Sequence, residues 1–261
     1  LFRSIVSQQS RRKFFFTATP KMSAKHERGM NNEDVYGNNL ITVSADELLD
    51  CGAILPPTVN VHTVDTVRTR EEVADIDAET VLRVIEADDA ERVLVSAPSA
   101  RIINAMMAFT DLFRDLRQAD YNVMTITSKH GAIINGKKVS RTQFFETLDN
   151  FSATGQKFVL FHYSILSEGI NVSGLTNVVL LRNLSTVEMA QTIGRVIRLD
   201  TQDRNNISNG TLTPRAYNNY NKPTGFISIP VYNNYGKATA KRVQRTVDTI
   251  FKHGKPATAW I

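Results

Sequence analysis

Cysteine occurs once in this 261-residue chain, at Cys51. That excludes an intrachain disulfide framework and a zinc site built on cysteine. The five histidines are scattered without metal-ligand spacing, so no bound metal is expected from them. Long apolar runs are lacking too. None approaches the roughly 20 residues that cross a bilayer, and no transmembrane helix is expected. Leu1–Arg12 mixes polar and basic residues without the apolar core of a signal peptide, and a first residue other than Met fits a piece of a longer protein. Acidic residues are in mild deficit, 26 against 31 basic, for a formal charge of +5. That balance suits a polyanionic partner without requiring one. With 42% hydrophobic and 22% charged residues, the composition is ordinary for a globular chain that builds one large α/β domain and part of a second.

What is present is a series of short, near-continuous apolar runs. They are Lys13–Thr17, Arg92–Ala97, Asn122–Thr127, Lys157–Tyr163, Asn177–Arg182 and Gly225–Val231, and they predict buried parallel strands. Helical periodicity fills the gaps. In Ala100–Gln118 the residues Ile102, Met106, Phe109, Phe113 and Leu116 recur at three- and four-residue steps, and Ser140–Phe151 and Ser185–Leu199 behave alike. Alternation of this kind from about Val59 to Val231 predicts a doubly wound parallel sheet with right-handed crossovers. Functional groups are then expected at the carboxyl ends of the strands. The Asn-rich stretches Gln202–Gly210 and Ala216–Lys222 read as polar surface loops. Pro56-Pro57 marks a boundary, and Lys237–His253 reads as a basic helical tail. The expected divisions are residues 1–56, 57–232 and 233–261.

The most informative stretch is STVEMAQTIGRVIRL, Ser185–Leu199. Ser185 and Glu188 form a capping-box pattern that starts a helix. At about 100° per residue, Met189, Ala190, Ile193, Val196 and Ile197 share one face, and Gln191, Arg195 and Arg198 share the opposite one. Gly194 leaves room for a close approach beside them. On its own, such a helix is most simply a surface helix with two solvated arginines.

The pattern Q-x-x-G-R-x-x-R in Gln191–Arg198 resembles the sixth motif of superfamily 2 helicases, which carries their arginine fingers. LSEGINVSGLTNVVLLRN, Leu166–Asn183, is similar to their fifth motif and its strand. FFFTATP, Phe14–Pro20, resembles their third motif, and VLVSAPSARIINAM, Val93–Met106, their fourth. NEDVYG with the following ADELLDCG and LPPTVNVHTV resembles the segment joining the two motor domains in viral and restriction-associated helicases, and GFISIPV, Gly225–Val231, resembles the strand after their sixth motif. The motifs stand in the family's order across most of the chain.

The resemblance implies a RecA-like P-loop NTPase fold, a parallel sheet sandwiched by helices, with residues 1–56 a remnant of the first RecA-like domain. ATP and Mg2+ would be its cofactors, held mainly by that first domain. Its partner would be nucleic acid, with DNA ahead of RNA, in an intracellular setting. Carried over by position, Arg195 and Arg198 become the catalytic fingers. Gln191, Gly169, Asn171 and Gly194 face the nucleotide, Asn171 standing where many relatives carry Asp. Thr17 and Thr19 couple nucleotide state to domain closure, or are ordinary strand-end threonines. Ser99 and Ser167 contact a phosphate backbone or cap helices. Phe14, Phe15 and Phe16 are expected in the core.

Two segments imitate the missing phosphate machinery. GAIINGKK, Gly131–Lys138, has G-x4-G-K, but Lys138 stands where a hydroxyl must hold magnesium and two isoleucines occupy the loop. It reads better as a loop at the edge of the nucleic-acid groove, with Ser128, Lys129 and His130 near phosphates. DELL, Asp46–Leu49, follows the third motif where the family's carboxylate box precedes it, and reads as helix surface. The expected protein is therefore the carboxyl-terminal part of an ATP-driven helicase or translocase, inactive alone. A non-catalytic nucleic-acid-binding module with the same fold is the alternative.

Overall fold

The computed structural model describes residues 10–25, 28–163, 172 and 174–260. Ser167, Gly169 and Asn171 lie outside the described residues. The chain opens with three short elements, β1 (Lys21–Met22), α1 (Glu33–Tyr36) and α2 (Ala45–Asp50). Then follow β2 (Pro57–Val64), α3 (Val73–Ala87), β3 (Arg92–Ser96), α4 (Ala100–Phe109) and α5 (Leu112–Gln118). The middle holds β4 (Asn122–Thr127), β5 (Gly131–Ile134), β6 (Lys137–Val139), α6 (Arg141–Ala153), β7 (Phe158–His162) and β8 (Asn177–Leu180). The end holds α7 (Thr186–Val196), α8 (Thr201–Ser208), β9 (Gly225–Tyr232), α9 (Lys237–Val247) and β10 (Ala259–Trp260).

Eight strands make one sheet in the order β2-β9-β8-β3-β7-β4-β5-β6. The first six are parallel, and β5 and β6 extend the sheet as an antiparallel hairpin. Successive side chains alternate between two cores, as a strand buried on both faces requires. Leu94, Leu160 and Val178 point to the layer formed by α6, α7 and α9, and Val93, Val159 and Val179 to the layer of α3, α4 and α5. This is the expected doubly wound α/β architecture.

Several local expectations need correction. Residues 13–17 form no strand. Phe14 and Phe16 are exposed, Phe16 at 92%, and Phe15 rests edge-on against Tyr36. No described strand lies beside them to supply ladder partners, and β-propensity without a sheet does not make a strand. The short pairing in this region is instead β1 with β10. Pro57–Val64 was not expected as a strand, because its apolar residues alternate with polar ones. It is the edge strand, where one side of the ladder is open and a leading Pro is tolerated. The single helix expected over Ala100–Gln118 breaks at Thr110, which is extended and whose hydroxyl donates back to the Met106 carbonyl at 2.7 Å. Gln202–Gly210 is mostly helix α8, capped by the Asp200 side chain accepting from the Gln202 N–H. Ala216–Lys222 is not a surface loop throughout, since Tyr220 and Lys222 are buried.

The G-x4-G-K imitation is a β-hairpin. Asn135 (φ 47°) and Gly136 (φ 81°) form the two-residue turn between β5 and β6, the left-handed pair that Asn-Gly favours. Its backbone amides serve a strand ladder, so it is no phosphate loop. DELL rides on α2, whose Ser44–Glu47 capping box is complete. There Asp46 and Asp50 pair with Arg215.

Candidate functional site

The carboxyl ends of the parallel strands collect polar side chains. Ser96, the last residue of β3, meets His162, the last of β7, with Oγ 3.0 Å from Nε2. His162 is buried, and its Nδ1 has no hydrogen-bond partner among the described residues. Burial first, and then the nearby positive charges of Arg182 and Arg195, lower its pKa to about 3, so the ring is neutral. Arg182, just past β8, donates to Glu188 at 2.9 Å and lies 5.1 Å from the exposed ring of Tyr163. Farther along the edge, the turn after β4 exposes Ser128 and Lys129. Ser99 caps α4, accepting from the Ile102 N–H at 3.2 Å. The edge is braced by Arg68, which forks onto Asp77 at 2.6 and 2.5 Å and donates to the Leu181 carbonyl at 3.2 Å.

Helix α7 starts at this edge as the sequence requires. The Ser185 side chain accepts from the Glu188 N–H, and Glu188 reaches back to the Ser185 N–H at 2.9 Å. Met189, Ile193 and Val196 are buried in the core. Gln191 is exposed and Arg198 half-buried. Arg195 departs from expectation: it is only 6% exposed. Its position on the helical wheel is the flank shared with Glu188 and Thr192, between the polar and apolar faces, and Thr192 is buried as well. Burial first and the charge of Arg198 second hold its pKa below the usual guanidinium range. Arg198 is lowered in the same way by burial and by Arg204. Arg198 thus lies within electrostatic reach of both Arg195 and Arg204, and the arrangement suits an anion. Gly194 lies beside them, and a Cβ added there would meet no described atom within 4 Å.

The end of α7 is held from a distance. Lys222, 2% exposed, donates from Nζ to the carbonyls of Val196 and Arg198, each at 2.6 Å. Asp203 on α8 receives the N–H groups of Asn221 and Lys222, both at 3.0 Å, and so fixes the segment that carries the lysine. Gly225 is required here, because a Cβ would collide with the Val196 carbonyl. Lys222 lies within electrostatic reach of Arg92, the first residue of β3, which pairs with Asp200 at 3.5 Å. Arg198 therefore lies toward the amino ends of the strands. The expectation that the site gathers at the carboxyl edge holds for Ser99 and Lys129 and fails for Arg198, because α7 runs antiparallel to the strands and carries its last residues away from that edge.

Thr17 and Thr19 are not part of either group. The Thr17 hydroxyl accepts from the Thr19 N–H at 3.2 Å in the turn before β1. Sequence reasoning missed Ser96, His162, Arg182 and Lys222. The first three lie at strand ends, where a search restricted to polar strand-terminal residues finds them. Nothing local to Lys222 announces its burial.

The sheet order and the helices on both faces define a RecA-like α/β domain. Residues 77–200 match the family model of the helicase conserved C-terminal domain. The resemblance to the carboxyl-terminal portion of superfamily 2 helicases is thereby upheld. No curated protein matches the chain significantly. Among solved structures, the ATP-dependent Type ISP restriction-modification enzyme LlaBIII bound to DNA is similar over 94% of this chain and 19% of its own, at 15% identity and a TM-score of 0.57. A fragment described as an HsdR subunit of a type I restriction enzyme from Vibrio vulnificus is similar over 89% of this chain and 41% of its own, at 20% identity and a TM-score of 0.56. Both likenesses are of fold. The chain spans about a fifth and two fifths of these two proteins. No helix among the described residues is long and apolar enough to cross a membrane.

Proposed function

We propose that the chain is the carboxyl-terminal part of an ATP-dependent nucleic-acid helicase or translocase, and that Arg195 and Arg198 supply positive charge to the nucleotide's terminal phosphate. On this reading residues 1–56 belong with the first RecA-like lobe, 57–232 form the second lobe and 233–261 a basic tail. The observation that carries the reading is the placement of Arg195, in the last turn of α7, and Arg198, just past it, within electrostatic reach of each other beside Gly194. Two guanidinium groups set close together suit a polyanion, as an arginine finger suits a transferring phosphoryl group. Arg198, the more exposed, meets the phosphate first, and Arg195 completes the contact as the lobes close. Gln191 contacts the phosphates from the exposed face. The open flank at Gly194 admits the partner lobe, at a helix position where glycine costs about 1 kcal/mol relative to alanine and no described contact requires it.

The 261 residues hold no G-x4-G-K-[S/T] sequence, and no three metal-ligating side chains converge among the described residues. The phosphate loop, the magnesium ligands and the water-orienting carboxylate are accordingly assigned to the first lobe, and the chain alone hydrolyses no ATP. Gly169 and Asn171 keep their nucleotide-facing role, and Thr17 and Thr19 their coupling role, on the likeness of their motifs alone. The nucleic-acid strand tracks the carboxyl edge past Ser99, Lys129 and Ser167, DNA ahead of RNA. Ser99 has its hydroxyl proton left to donate after capping α4, and Lys129 is exposed. In the motor with both lobes, Arg195→Ala lowers nucleic-acid-stimulated ATPase by about 10³-fold or more, with strand binding within a few-fold of wild type. Normal turnover in that variant would reduce the chain to a non-catalytic binding module.

A further inference from the structure

The net charge of the chain is concentrated at one end. Residues 237–255 carry six basic side chains and one acidic, a net of +5, which equals the formal charge of all 261 residues. Everything else balances, 25 basic against 25 acidic. Helix α9 contributes Lys237, Lys241, Arg242 and Arg245 and has no acidic residue, and all four are exposed. Lys252 and Lys255 prolong the surface past the helix. The one acidic group, Asp248, is already engaged by Lys252 at 2.9 Å and Gln244 at 3.0 Å. Lys237, Lys241 and Arg245 make no ion pair with any described residue.

Arg245 in the last turn suits the helix dipole, but the charge at the start of the helix does not. A cation at the first position opposes the helix dipole, and no acidic residue stands in the first turn to offset it. The fold holds α9 by its other face, with Val243 and Val247 in the core and Thr239 and Arg242 bonded to Asn183 and the Leu184 carbonyl. Those contacts join the start of α9 to the carboxyl edge at Asn183–Leu184. The basic face begins there and leads away from it.

We infer that α9 and the turn after it form a second nucleic-acid contact, a track for the phosphate backbone of a duplex. The inference rests on the motor reading and extends it. Lys241 and Arg245 are one turn apart, about 6 Å along the axis, and give a row of point charges suited to successive phosphates. Phe251 packs against the core, and the exposed face carries no Phe, Tyr or Trp; its one ring is the small imidazole of His253. A single strand is held by rings on which bases stack. A duplex keeps the faces of its bases stacked inside and turns its phosphates outward. An anionic membrane is disfavoured because the apolar face of α9 is buried in the sheet and has nothing to insert.

The test is the affinity of the chain for a 30-base-pair DNA duplex, for one of its strands, and for phosphatidylserine vesicles, at several salt concentrations. In Lys241→Glu/Arg245→Glu duplex affinity falls tenfold or more. In the milder Lys241→Ala/Arg245→Ala, whose helix propensity is undiminished, the slope of log affinity against log salt falls by about 2, near 0.9 per lost phosphate contact. Single-strand affinity changes less than twofold in both, and their melting curves match wild type. Unchanged duplex binding overturns the assignment, as do equal losses on duplex and single strand or vesicle binding that depends on the same residues. A wild-type chain that binds neither form of DNA removes the nucleic-acid reading beneath it as well.

Discussion

Lys222→Met is the most direct probe of how the arginine helix is held. Methionine matches the length of the lysine stem but has no donor, so the carbonyls of Val196 and Arg198 lose their 2.6 Å partner in a buried setting. An unsatisfied buried acceptor costs about 1–3 kcal/mol. The pH dependence is more diagnostic than the size of the loss. Burial first, and then the charge of Arg92, lower the Lys222 pKa from 10.5 to about 7. Above pH 7 the folded protein releases this proton while the unfolded chain retains it until about 10.5. The unfolded state then binds more protons, and wild-type stability rises with pH by about 1.4 kcal/mol per unit. The methionine variant gains nothing at this position, and groups that titrate alike in both proteins cancel in the difference. The penalty of the substitution should therefore grow by about 2–3 kcal/mol between pH 7 and pH 9, read from urea unfolding curves at four pH values. A penalty that is constant or shrinks over that range would refute the reasoning. It would mean that the ammonium stays charged and that its carbonyl partners outweigh burial.

Other consequences can be checked independently. His162 is neutral in the fold with its pKa lowered to about 3, so its contribution to stability is present above about pH 6.5 and is lost as pH falls toward 3. Between pH 6.5 and 5 wild type should lose about 2 kcal/mol that His162→Gln, which keeps a partner for Ser96, does not lose. Gly136→Ala places a side chain at φ 81° in the β5–β6 turn. It should cost about 1–2 kcal/mol, seen as a melting point lower by a few degrees, with nucleotide binding by the two-lobed motor unchanged. A selective loss of nucleotide binding there would restore the phosphate-loop reading of Gly131–Lys138.

The parts of this protein legible in its sequence are those governed by short-range physics. A run of apolar residues announces a doubly buried strand wherever it stands, which is why five of the six expected strands formed. The Ser185–Glu188 capping box closes within one helical turn, so it marked the start of α7 correctly. Even the Asn-Gly turn of the hairpin was written locally, although the glycine-lysine spacing around it drew the eye to phosphate chemistry. The sixth strand failed because Phe14–Phe16 needed a neighbour that the described residues do not supply.

Only the tertiary structure decided how the arginines are presented. Periodicity gives an angle around a helix axis but not the depth of what packs on each flank, so Arg195 was expected outside and is enclosed. The donor that secures the end of α7 lies 24 and 26 residues farther along the chain from the carbonyls it serves, in an Asn-rich stretch whose composition suggested only solvent. Its burial follows from Asp203 and Gly225 meeting it in space. No local pattern encodes such a meeting, since it arises only when α8, β9 and the end of α7 converge beneath the sheet's amino edge.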